Sequence, residues 1–135
     1  MTYKNYIGDP SLDRPFYRLL GIKFLGLSDD SYYCLEIPSN PDLENSRGEF
    51  HGGVIATLLD ASIGVAVRGA FNNEVGATTV SLSVNYLSAG KVKLYAKSKV
   101  MHLGKSLASG ESLITDDSGI IVAQAIATMK ILHPK

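Results

Sequence analysis

Gly53-Val-Ile-Ala-Thr-Leu-Leu-Asp60-Ala-Ser-Ile-Gly-Val-Ala-Val-Arg-Gly-Ala70 is the stretch on which the fold turns. Apolar or small residues recur at Ile55, Leu58, Leu59, Ser62, Ile63, Ala66, Val67 and Ala70, which is helical spacing. The opposite face carries Ala56, Ala61, Gly64 and Val65 and is hardly more polar. A helix that is apolar nearly all round is buried on most sides. It must lie inside something that wraps it.

The flanking sequence supplies the wrapping. Residues 77–87 alternate, with Val80, Leu82, Val84 and Tyr86 set against Thr79, Ser81, Ser83 and Asn85. Residues 91–101 alternate again and carry Lys91, Lys93, Lys97 and Lys99 on one face. Residues 106–115 and 120–131 read as two further strands, joined through the hairpin turn Asp116-Asp117-Ser118-Gly119. Upstream, residues 22–28 and 31–37 read as strands joined at Asp29-Asp30, and residues 11–20 as a short helix ending at Gly21. Ser88-Ala89-Gly90 and His102-Leu103-Gly104 mark connections, and consecutive strands with short connections are expected to pair antiparallel. The expected architecture is α+β, a curled antiparallel sheet of about five to six strands around one long central helix. Residues 1–135 are expected to form a single domain, with 1–21 as an N-terminal helical extension and 22–135 as the core.

Composition narrows the function. The chain has 135 residues, with 13 Lys plus Arg against 13 Asp plus Glu. Nucleic-acid binding usually leaves a basic excess, and neither that nor a set of stacking aromatics is evident. The neutral total is a sum of uneven halves. Residues 1–90 hold 6 basic and 10 acidic side chains, and residues 91–135 hold 7 and 3. The C-terminal strands are therefore a place to receive a small polyanion. Cys34 is the single cysteine and lies in an apolar stretch, so it reads as a small buried hydrophobe in a reducing compartment. The first residues lack the apolar core of a signal peptide, and no apolar run reaches the roughly 18–20 residues of a membrane span. The expectation is a soluble cytoplasmic protein without a membrane partner.

The chemistry gathers in Asn45-Ser-Arg-Gly48-Glu-Phe-His51-Gly52-Gly53, running into the helix as far as Asp60. It leaves a loop, residues 38–50, long enough to suggest function. Gly52 and Gly53 sit where the helix begins, and helix N-termini present unpaired N–H groups and partial positive charge. Glycine lets a ligand approach that backbone closely, so the place suits a carbonyl oxygen becoming an oxyanion. Asp60 is a carboxylate two turns into an apolar helix, where burial is costly unless the group is paired or functional. Eight residues separate Gly52 from Asp60, about 12 Å along the axis. One reacting carbonyl cannot easily touch both within one chain. A two-fold dimer with antiparallel helices removes the difficulty and creates two equivalent sites.

Asn45-x-x-Gly48-x-x-His51-Gly52-Gly53 followed by Leu58-Leu59-Asp60 resembles the signature of hotdog-fold acyl-CoA thioesterases of the PaaI, phenylacetic-acid type. Thr78-Thr79-Val80, Leu103-Gly104-Lys105-Ser106, Asp117-Ser118-Gly119 and Val122-Ala123 extend the similarity over residues 40–130. The resemblance implies hydrolysis of an acyl-CoA thioester to free acid and CoA. It makes the Gly52 amide the group that polarises the carbonyl and Asp60 the base or nucleophile. Asn45 would place water or substrate, and His51 would support the loop and the carbonyl. Thr79, rather than Thr78, would hold the carboxylate or water. Gly53, Gly104, Lys105 and Ser106 are expected to contact substrate or CoA. The resemblance further implies a homodimer, paired again into a tetramer. No cofactor is expected, and His51, His102 and His133 are scattered without metal-ligand spacing. Glu49 departs from the pattern. The alternative reading is a non-catalytic acyl-CoA-binding protein of the same fold.

Overall fold

The computed structural model describes residues 12–135 together with a short strand at Tyr3–Lys4. After that strand, β1, come helix α1 (Pro15–Leu20), strands β2 (Lys23–Ser28) and β3 (Tyr33–Ile37), and helix α2 (Gly52–Gly69). Strands β4 (Gly76–Tyr86), β5 (Leu94–Leu103), β6 (Leu107–Thr115) and β7 (Ile121–Leu132) complete the chain. All seven strands form one antiparallel sheet in the order β1-β2-β3-β5-β6-β7-β4. Six of them match the expected count, and β1 adds a two-residue seventh in the stretch read as a helical extension. The rest of that extension before residue 12 lies outside the described residues.

Small residues on the central strands bring the inner face of the sheet close to the helix, beside larger ones such as Leu94, Ile114 and Met129. Ala96 and Ser98 on β5, Ala108, Gly110 and Ser112 on β6, and Ala123, Ala125 and Ala127 on β7 lie close against α2. Leu58, Leu59, Ile63, Val65 and Val67 of α2 are completely buried. Burying each such side chain contributes about 1.5–3 kcal/mol relative to leaving it exposed. The helix has the length and hydropathy of a membrane span, yet 67% of it is buried inside the sheet. At its middle, Ser112 meets the Ser62 hydroxyl at 2.6 Å, Ser62 donates to the Leu59 carbonyl, and Ser98 donates to the Ser62 carbonyl. These buried hydroxyls are satisfied and fix the helix against β5 and β6.

Four expectations need correction. Strands β4 and β5 follow one another but do not pair; β4 lies at the sheet edge beside β7, and β5 pairs with β3 and β6. The connection after Tyr86 crosses over the helix N-terminus rather than turning back, with the Phe50 N–H bonded to the Gly90 carbonyl. Lys91 and Lys93 precede β5, so the lysine row on that strand is Lys97 and Lys99 alone. His102 and Leu103 lie within β5 because a bulge between Val100 and His102 absorbs the irregularity. Finally, α1 starts at Pro15, whose fixed φ suits the first helical position, and it ends at Gly21 in the left-handed conformation (φ 74°).

Candidate active site

His51 caps α2. Its Nδ1 accepts from the Gly53 N–H at 2.8 Å, and its carbonyl accepts from Val54 and Ile55. An accepting Nδ1 places the proton of the neutral ring on Nε2. The Gly53 amide is therefore engaged by His51, whereas no described residue accepts from the Gly52 N–H. The Tyr86 hydroxyl donates to the Gly52 carbonyl at 2.9 Å and pins this first turn to the end of β4. One amide at the positive end of α2 is left for a ligand.

The loop before the cap is built around Asn45. Its Oδ1 accepts from the Arg47 and Glu49 amides at 2.9 and 3.2 Å, and its own N–H donates to the Glu49 carbonyl. Gly48 makes the turn possible with φ at 73°. The carbonyl side of Asn45 is thus spent on shaping the loop, and its amide nitrogen has no acceptor among the described residues. Asn45, Glu49, Phe50, Gly52, Ile55 and Tyr86 line a cleft of about 420 Å³. Phe50 and Ile55 give it an apolar floor, and Asn45 and Glu49 a polar wall.

Asp60 stands outside this cleft. It is half-buried rather than enclosed, because Gly53, Ala56, Thr57 and Asp60 form the stripe of α2 that the sheet leaves uncovered. The Thr79 hydroxyl donates to Asp60 Oδ1 at 2.6 Å. A bulge between Thr79 and Ser81 interrupts the pairing of β4 with β7 at this point. It keeps Thr79 opposite the buried Met129, on the helix side, while Thr78 lies opposite exposed Lys130. Bulges often re-aim a side chain in this way beside a functional site.

Gly104, Lys105 and Ser106 form the turn between β5 and β6. The Ser106 carbonyl accepts from Ile131, and the Lys105 carbonyl contacts His133, whose ring packs edge-on against Phe71 just beyond the end of α2. A side chain at Gly104 would stand 2.7 Å from the Leu107 carbonyl oxygen, so the tight turn requires glycine there. This turn sits near the C-terminal end of α2 and the cleft at its N-terminal end. An 18-residue helix, about 27 Å long, separates them within one chain.

An N-capping histidine, an open glycine amide and a hydroxyl-bound carboxylate on one helix inside a curled sheet form a specific combination. The sequence pattern of the thioesterase superfamily matches residues 48–123, from the loop turn to the start of β7. This chain belongs to the thioesterase superfamily. It is a hydrolase acting on thioester bonds, and its fold is the hotdog fold. The thioesterase is 36% identical over 104 residues to "Putative esterase VNG_1336C" of Halobacterium salinarum, spanning 70% of this chain and 69% of that protein. Protein BH2602 of Bacillus halodurans, whose crystal structure was solved with CoA, is 29% identical. Its TM-score is 0.70 over 73% of this chain and 70% of that one. Escherichia coli PaaI, from the phenylacetic acid degradation operon, superposes with a TM-score of 0.81 over 93% of this chain and 89% of that one. At 17% identity that likeness is one of fold.

Two elements of the thioesterase's cleft are absent from the sequence reading. Tyr86 reads there only as a strand residue, and Arg47 as part of a loop. Tyr86 reaches Gly52 across 34 positions, a contact with no local signature. Arg47 could have been noticed from its pairing with Glu49 across the Gly48 turn.

Proposed function

We propose that this thioesterase hydrolyses an acyl-CoA to the free acid and CoA, in the manner of PaaI-type enzymes, and that it works as a homodimer. The observation that carries the reading is the Gly52 N–H, left without an acceptor at the start of α2 and facing a cleft. In this reading the thioester oxygen accepts from that amide, and its growing negative charge is stabilised by the helix N-terminus. Asp60, oriented by Thr79, either takes a proton from water as the hydroxide adds to the carbonyl carbon or attacks that carbon directly. Collapse of the tetrahedral adduct breaks the C–S bond, and the thiolate of CoA takes up a proton; after direct attack it leaves an acyl anhydride on Asp60, which water opens to the free acid and the restored carboxylate. Asn45 contributes its unused amide donor, and His51 holds the first turn.

The dimer is supported by the separation of Gly52 and Asp60 and by the exposed edge of β4. That edge is eleven residues long and contains neither a charge nor a proline. Natural edge strands that remain uncovered are usually blunted by such residues. A second β4 running antiparallel would cover this edge and bring the partner subunit's Asp60 toward the Gly52 cleft. The same symmetry would carry the 104–106 turn toward the other subunit's helix N-terminus, where Gly104, Lys105 and Ser106 could meet CoA. Support for CoA as the carrier comes from the CoA-bound Bacillus halodurans relative.

The test is steady-state hydrolysis of acyl-CoAs of different length and aromaticity by the wild type and by Asp60→Asn. The expected result is a loss of kcat of about 10²–10⁴-fold with the fold retained. Near-wild-type turnover by folded Asp60→Asn would overturn the assignment. A wild type that binds acyl-CoA without hydrolysing it would instead support the non-catalytic reading. After single turnover in ¹⁸O-water, label in the Asp60 carboxylate establishes direct attack, with water opening the acyl anhydride at the Asp60 carboxyl carbon.

A further inference from the structure

Three lysines of the row read on the C-terminal strands are engaged elsewhere. Lys93 is paired with Glu36 at 3.1 Å, and Lys99 faces Glu111 at 3.6 Å. The ammoniums of Lys97 and Lys99 lie over the Tyr32 ring, 4.7 and 5.1 Å from its centre. None of the three lines the Gly52 cleft, but Arg47 does. Its backbone is fixed by the Asn45 side chain, and its own side chain is 73% exposed. Its Nε donates to Glu49 Oε1 at 2.6 Å, and Glu49 is itself only 16% exposed. A carboxylate so far withdrawn from water, on a wall of the cleft, holds the guanidinium by its Nε. The two Nη groups have no acceptor among the described residues. That remaining edge of the fork is the one that can bind a phosphate or carboxylate through two parallel hydrogen bonds.

We propose that Arg47 is an anion-recognition residue of the cleft and that Glu49 is its positioning residue. The bound group is an oxyanion on the substrate, either a phosphate of coenzyme A or a carboxylate on the acyl chain. The inference rests on the acyl-CoA reading above. It accounts for Glu49, which the family pattern leaves unexplained. Glu49 lowers the conformational freedom of a long side chain and directs its open edge, at the cost of part of its charge.

The experiment compares one acyl group on CoA and on N-acetylcysteamine, which lacks the phosphates. It also compares a chain ending in carboxylate with its neutral counterpart, both on CoA. For phosphate recognition, Arg47→Gln lowers the CoA to N-acetylcysteamine ratio of kcat/KM about tenfold or more, chiefly through KM. The salt dependence of KM weakens with it. For carboxylate recognition, the fall appears instead in the ratio of acidic to neutral acyl chains. Glu49→Ala gives a smaller change in the same ratio, and the double variant loses no more than Arg47→Gln alone. If Arg47→Gln moves neither ratio, the proposal is overturned. If the wild type hydrolyses no acyl-CoA, the functional reading fails first. Calorimetric binding of CoA to the wild type and to Arg47→Gln then decides the phosphate case without turnover, and equal affinities reject it.

Discussion

Thr79 shows how much one hydroxyl can be asked to do. It donates to a half-buried carboxylate from a strand that bulges at that point. A hydrogen bond to a charged group contributes about 1.5–3 kcal/mol. Thr79→Val is therefore expected to lower kcat about tenfold or more with little change in KM, and Thr79→Ser to restore most of it. Steady-state kinetics on one acyl-CoA checks both. Cys34 lies at the other extreme. It is 4% exposed, and burial pushes its thiol above the ordinary value of 9.0. A raised thiol pKa favours the folded state below that value and loses its contribution as pH rises through the folded-state value. Native protein at pH 8 should react with a disulfide reagent far more slowly than unfolded protein, and rapid reaction would contradict the burial. Asp60, His51 and Gly52 can be nominated from the sequence because they lie in one contiguous stretch. Tyr86 and the free edge of Arg47 depend on contacts between distant or surface groups, which no periodicity records.

At the scale of elements, α2 was legible from its apolar residues, and most strands from alternation. Their ends were not, because bulges at Met101 and Val80 shift the alternation without ending the strand. The pairing of β4 with β7 was also hidden, since the sequence neighbour of β4 is β5. Gly110 of β6 lies tight against α2. A Cβ there would stand 2.8 Å from Ile63 Cγ2 and 3.0 Å from the Lys99 carbonyl oxygen. Such overpacking costs about 1–3 kcal/mol, and the backbone oxygen cannot give way as a side chain can. Gly110→Ala should therefore lower Tm measurably in a thermal melt, whereas Gly119→Ala is strained only by its φ of 81°. An unchanged Tm for Gly110→Ala would show that the helix does not sit so close to β6.

At the scale of the whole molecule, the exposed β4 edge is the strongest reason to expect a second copy. Light scattering should give at least twice the 14.5 kDa chain mass. Val80 is 60% exposed on that edge, and Val80→Lys should shift the mass toward a single chain through charge repulsion. Thioester hydrolysis should fall in parallel, because the cleft would lose its carboxylate. A fully active monomer would refute the shared site.

The eight residues between Gly52 and Asp60 have a genetic consequence. If each site borrows its carboxylate from across the two-fold axis, defects in the two halves belong to different complementation groups. Asp60→Asn keeps a sound cleft, and a variant broken in the cleft keeps a sound carboxylate. Neither works alone. Mixed and allowed to exchange subunits, they form hybrid dimers in which one site carries both lesions and the other carries none. Random exchange of equal amounts then recovers about a quarter of wild-type activity.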